Sequence, residues 1–112
     1  MPKSKSLPAA SLYIVLALLD GELHGYAVMR RVEELSDGAV RMGPGTLYGT
    51  LDRLVAGGLI QETSDRSPRA DGERRRYYEL TAGGRARAVD ELTRLRSLVH
   101  RTAMHLPGAA PA

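Results

Sequence analysis

The chain has 112 residues, 43% of them hydrophobic, with no cysteine and a formal net charge of +3. That length supports one compact core and not two, and the absence of cysteine excludes disulfides, thiolate metal sites and cysteine nucleophiles and suits a reducing cytoplasm. The basic balance favours an anionic partner, and the longest apolar run, Leu12 to Leu19, is far below the roughly 20 residues that span a bilayer, so no membrane partner is expected.

Residues 1 to 7 and 107 to 112 are polar or rich in Pro, Gly and Ala and read as frayed tails. Lys3 and Lys5 precede the apolar run, but Asp20-Gly21-Glu22 offers no small-residue cleavage pattern, so the beginning is not read as a signal peptide. Pro8 is placed to open a first helix through Leu19, apolar on most sides and stopped by Asp20-Gly21. A second helix is predicted from about His24 to Leu35, with Val28, Val32 and Leu35 at helical spacing, and Ser36-Asp37-Gly38 ends it. Residues 20 to 40 carry Asp20, Glu22, Glu33, Glu34 and Asp37 against Arg30 and Arg31, a net acidic stretch.

The third helix has the clearest punctuation. Gly43-Pro44 supplies a cap and a proline in the first turn, and Gly57-Gly58 supplies the stop. Its expected core stripe is Leu47, Leu51, Leu54 and Val55. The opposite face holds Gly45, Thr46, Gly49, Asp52, Arg53 and Ala56, with Tyr48 on the flank.

Beyond Gly58 the pattern changes to two strand-like runs, Leu59 to Ser64 and Arg74 to Leu80, around the turn-rich SPRADG. In the second run Tyr78 and Leu80 share one face, Tyr77 and Glu79 the other. A final helix from about Thr81 to Ala103 follows, capped by Thr81. Ala88, Leu92, Leu95 and Val99 recur along it at spacings of four, three and four, a short coiled-coil seam that Val89 and Leu98 widen.

Three helices followed by a hairpin is the order of a winged helix-turn-helix, in which the third helix enters the major groove and the wing meets the backbone nearby. The expected fold is therefore mainly α with a β-hairpin wing. Residues 1–80 would form the DNA-binding domain, ordered from about residue 8, residues 81–106 a dimerisation helix and residues 107–112 a flexible tail. Gly45, Thr46 and Gly49 leave the outer face of the third helix open to base edges, and Arg53 has the reach for a guanine edge or a phosphate. A run of like charge is usually only a solvated surface. Here Arg66, Arg69, Arg74, Arg75 and Arg76 fall on a hairpin directly after a groove-competent helix, which favours phosphate contact. Arg76 has a second option, its stem lying along the inner face of the strand with Tyr78.

The segments HGYAVMRRVEE, GPGTLYGTLDRLVAGGLI and GERRRYYELTAGGR, in that order, resemble the PadR family of transcriptional regulators over about residues 12 to 100. The resemblance implies a homodimeric repressor on double-stranded DNA, of the subgroup with a single C-terminal helix. Its contacts to DNA would involve Gly45, Thr46, Tyr48, Gly49, Arg53, Arg69, Arg74, Arg75 and Arg76. Its dimer interface would use Leu12 and Leu16 of the first helix with Ala88, Leu92, Leu95 and Val99 of the last. Release by a small-molecule effector is left open. Two departures stand out: Gly49 occupies a position where many relatives have proline, and without Trp or Phe the chain has no means of stacking a flat drug between tryptophans, as some relatives do.

No catalytic constellation is present: the serines lie outside any nucleophile-elbow pattern, so the protein is not read as an enzyme, and no cofactor is expected. His100 and His105 read as surface histidines rather than metal ligands, and His24 as the beginning of the second helix. The rival reading is a winged-helix protein-interaction module without DNA binding, whose mark would be a flat apolar or acidic face on the third helix. An RNA binder would need stacking aromatics on an open surface, for which only Tyr77 and Tyr13 are candidates.

Overall fold

The structure, a computed structural model, describes residues 6–64 and 76–108. Most of both expected tails, and the hairpin turn with Arg66, Arg69, Arg74 and Arg75, lie outside the described residues.

Helix α1 (Ala9–Ala17) follows Pro8 and buries Ile14, Val15 and Ala17. It stops two residues before the predicted Leu19, because Leu18 and Leu19 enter a tighter turn in which the Leu19 amide donates to the Leu16 carbonyl. A two-residue strand, β1 (Leu23–His24), then precedes α2 (Gly25–Leu35). His24 is the cap of α2, its Nδ1 accepting from the Ala27 amide at 3.2 Å. Val28 and Val32 are fully buried, but Leu35, expected beside them, is exposed.

Helix α3 (Pro44–Ala56) begins at the predicted proline with Gly43 as its cap. Leu47, Leu51 and Leu54 form its inner face. Val55 was expected with them but is exposed, and Thr50 is buried instead. A buried hydroxyl needs a partner, and the Thr50 Oγ1 donates to the Thr46 carbonyl one turn back at 2.7 Å.

Strands β2 (Ile60–Ser64) and β3 (Arg76–Leu80) form the hairpin, and β1 joins its free edge to give an antiparallel sheet in the order β1-β3-β2. Register pairs Glu62 with Tyr78 and Ile60 with Leu80. Alternation along the strands therefore puts Ile60, Tyr78 and Leu23 on the inner face and Tyr77 and His24 on the outer one. On the outer face the His24 and Tyr77 rings meet edge to face at 5.7 Å.

Helix α4 (Ala82–Thr102) closes the chain and runs into a short 3-10 helix, Ala103–His105. Thr81 caps it as predicted, Oγ1 accepting from the Gly84 amide at 2.9 Å and donating to the Gly58 carbonyl at 2.6 Å. Gly84 is required by close approach: a methyl group at that position would overlap the Leu59 carbonyl. The first turns of α4 pack on α1, and α1 also contacts α2 and α3. The core is thus built around Ile14, Val15 and Leu18, with Val28, Val32, Leu47, Leu51, Ile60, Tyr78 and Ala88 around them. The arrangement is a winged helix-turn-helix with a helical extension. No helix among the described residues is long and apolar enough to cross a membrane.

Candidate nucleic-acid interface

Helix α3 turns its inner leucines to the core, so its remaining faces are left to solvent. Gly45, Thr46, Asp52 and Arg53 are exposed and Gly49 is half-buried. The Arg53 side chain lies back over Gly49, where a Cβ would stand in ordinary contact, 3.8 Å from Nη1. Its Nη2 donates to the Thr50 hydroxyl at 3.1 Å. Thr50 therefore passes one hydrogen bond to its own helix and receives another, holding the guanidinium along the front of α3 beside Gly49. Backbone amides at the amino-terminal turn of α3 favour an anion.

Tyr48 is half-buried on the flank, where its ring packs against Gly25 at the start of α2. Above it lies Arg76 of β3. The Arg76 Nε and Nη2 donate to the two Glu62 carboxylate oxygens at 3.0 and 3.1 Å, and Nη2 also reaches Asp52 of α3 at 3.4 Å. The guanidinium carbon stands 5.7 Å from the Tyr48 ring centre and 5.6 Å from that of Tyr78. Donating to the Glu62 carboxylate makes the Arg76 guanidinium hold its proton more tightly than usual. Burial pushes the Tyr78 phenol up to about 12, and its hydroxyl has no hydrogen-bond partner among the described residues.

Of the residues expected at DNA, the structure thus brings Gly45, Thr46, Gly49 and Arg53 together on one open face with Tyr48 at its edge. Arg69, Arg74 and Arg75 lie outside the described residues. Arg76 takes its inner-face option, engaged by two carboxylates. Asp52 and Glu62 were not singled out from the sequence as site residues. The spacing of Tyr48 and Asp52, one helical turn apart, was the available signal.

The predicted seam divides. Ala88 has no exposed surface, because its small side chain lets α4 pack into its own domain, so it cannot lie in an interface. Leu16 is partly buried against the same core, and Leu12 is half-buried. Leu92, Leu95 and Val99 are 40%, 39% and 52% exposed and, with Val89 and Leu98, make an uncovered apolar stripe. The change comes at Glu91, a buried carboxylate accepting from Arg94 at 2.8 Å and from Arg87 at 3.2 Å. From Leu92 to the end of α4 every residue is exposed.

Comparison with known proteins gives a consistent result. The Transcriptional regulator PadR-like family matches residues 14–90. A transcriptional regulator of Mycobacterium tuberculosis is 41% identical over 92 residues, covering 77% of this chain and 80% of that protein. An uncharacterized 37.1 kDa protein of a Streptomyces fradiae transposon is 36% identical over 85% of this chain, which spans only 26% of that relative's length. Among solved structures, a PadR family transcription regulator of Clostridium difficile has a TM-score of 0.73 at 23% identity, covering 88% of this chain and 98% of that one. Bacillus subtilis PadR in complex with operator DNA has a TM-score of 0.66 at 22% identity, covering 76% of this chain and 47% of that one. At these identities the two structures bear on the fold alone, and the fold they share with this chain is the winged helix.

Proposed function

The chain belongs to the PadR-like family of transcriptional regulators, and from that premise we propose that it binds double-stranded DNA in a sequence-specific manner as a homodimeric repressor. The observation that carries this reading is the outer face of α3, where small residues clear the way to a groove and Arg53 is held at the edge of the clearing. A structurally similar protein, Bacillus subtilis PadR, has been solved with operator DNA. Arg69, Arg74 and Arg75, between β2 and β3 in sequence, would contact phosphates, and Thr46 and Arg53 the groove.

The uncovered stripe of α4 supports the homodimer. Leu92, Leu95 and Val99 present apolar surface that their own domain does not cover, and a second copy of the same helix would bury it. Two recognition helices would then lie one DNA turn apart, roughly 34 to 36 Å, on a pseudo-palindromic site.

A gel shift with random-sequence duplex DNA and with RNA, against a nucleic-acid-free control, tests the reading. Duplex DNA should be retarded, with an affinity that falls steeply with salt. Binding to neither nucleic acid would put the protein-interaction module ahead, and preference for single-stranded RNA would replace the DNA reading altogether.

A further inference from the structure

We propose that Arg76 is a positioning residue that fixes the wing to the recognition helix, and not a phosphate contact in its own right. This rests on the DNA-binding reading above. The guanidinium touches three elements at once. Its two bonds to Glu62 hold β3 to β2 at the end of the ladder where Ser64 pairs with Arg76, next to the connection between the strands. On α3 it meets Tyr48 and Asp52, four residues apart and therefore stacked one turn above the other on the same side of the helix. A grip on two successive turns fixes tilt as well as distance. Tyr48 in turn rests on Gly25, which carries the contact to α2.

Exposed ion pairs are individually weak, and the Arg76–Asp52 pair alone would fix nothing. Here the fork to Glu62 orients the guanidinium plane, and the plane lies over two tyrosine rings, so the shape of arginine is used as much as its charge. The charge itself is already answered by two carboxylates, Asp52 and Glu62, which would otherwise confront an anionic ligand beside α3.

Two variants separate positioning from simple attraction, because neither removes positive charge. Arg76→Lys keeps the charge and loses the fork and the plane. Asp52→Ala removes a negative charge at an exposed site and loses the grip on α3. The probes are a duplex enriched from a random-sequence pool by the wild-type chain and a shuffled version of it. Both variants should bind the enriched duplex about tenfold more weakly. The shuffled duplex should be bound as before by Arg76→Lys and equally or more tightly by Asp52→Ala, with an unchanged salt slope for Arg76→Lys. The double variant should bind no more weakly than the poorer single one, since both disrupt the same junction. Melting curves establish that each variant is folded, and Asp52→Ala carries the test alone if Arg76→Lys is not. Wild-type binding by Arg76→Lys together with tighter binding of both duplexes by Asp52→Ala would show attraction alone and overturn the proposal, leaving DNA binding intact. A wild-type chain that enriches no duplex would overturn the DNA-binding reading and this role with it.

Discussion

Replacing Leu95 with Asp should convert the proposed dimer to monomers that remain folded. Leu95 is 39% exposed and makes no part of the core of its own domain. Full burial of a leucine is worth at most about 3 kcal/mol, so covering the exposed remainder in a seam stabilises by about 1 kcal/mol per subunit. Losing that twice costs the dimer about 2 kcal/mol, and each buried, unpaired carboxylate adds several more. The sum is at least about 4 kcal/mol, a thousandfold or larger rise in the dissociation constant. Sedimentation velocity at micromolar protein should show a dimer for the wild type and a monomer for the variant. Leu95→Ala, which introduces no charge, should fall between them. Circular dichroism should report the same helix content per chain, since the first turns of α4 are anchored through Ala88 and Glu91. A variant that still sediments as a dimer would show that the stripe faces elsewhere.

Gly84→Ala should destabilise by about 3 kcal/mol or more in urea, because the added methyl meets the Leu59 backbone, which has little room to yield; a smaller loss would mean that the α4 junction is loose. Burial raises the Tyr78 phenol from 10 to about 12. That stability is complete below pH 10 and lost as pH rises through about 12, at most about 3 kcal/mol. Tyr78→Phe should abolish this alkaline loss and, by removing an unpartnered hydroxyl, keep or raise neutral-pH stability by about 1 kcal/mol; denaturant curves at pH 8 and 11.5 decide it, and an unchanged alkaline slope counts against it. Thr46→Ala or Arg53→Ala should weaken an enriched duplex by about 1 to 3 kcal/mol more than a shuffled one, whereas equal losses would indicate phosphate contact. Neutralising Arg69, Arg74 and Arg75 should weaken both duplexes alike and flatten the salt slope by about 0.9 for each phosphate that the wing no longer neutralises; an unaltered slope would take the wing away from the DNA.

What was legible in the sequence was mostly local. The bounds of α3 follow from Gly43-Pro44 and Gly57-Gly58, and the start of α4 from a threonine whose side chain reaches an amide three residues on. Those signals act within one turn, so they do not depend on the rest of the fold. The open face of α3 was legible for a related reason: with the leucines facing inward, helical geometry leaves Gly45, Thr46 and Arg53 outside.

Most of the failures are long-range. Strand β1 has two residues and exists because β3 offers it a partner about 54 positions away. Leu35 and Val55 stand at core-like spacing but remain 40% and 37% exposed at the margin of the core, whereas Thr50 is buried because its own helix satisfies its hydroxyl. Ala88 fits a seam by spacing, but its small size serves the approach of α4 to its own domain. The cluster around Arg76 draws on three elements, and no window of sequence contains Tyr48, Glu62 and Arg76 together.

The junction at Thr81 and Gly84 also fixes the angle at which α4 leaves the domain. The Thr81 hydroxyl ties the first turn of α4 to the Gly58 carbonyl, immediately beyond the end of α3, and α4 then extends 21 residues, about 30 Å of rigid rod. A rotation of about 5° at the fulcrum sweeps the far end of such a rod through about 3 Å. In a dimer joined along the rods the same geometry works in reverse. Once the far ends are held together, a change of about 5° in the tilt of each rod carries its domain, and α3 with it, through about 3 Å, without any change within either helix.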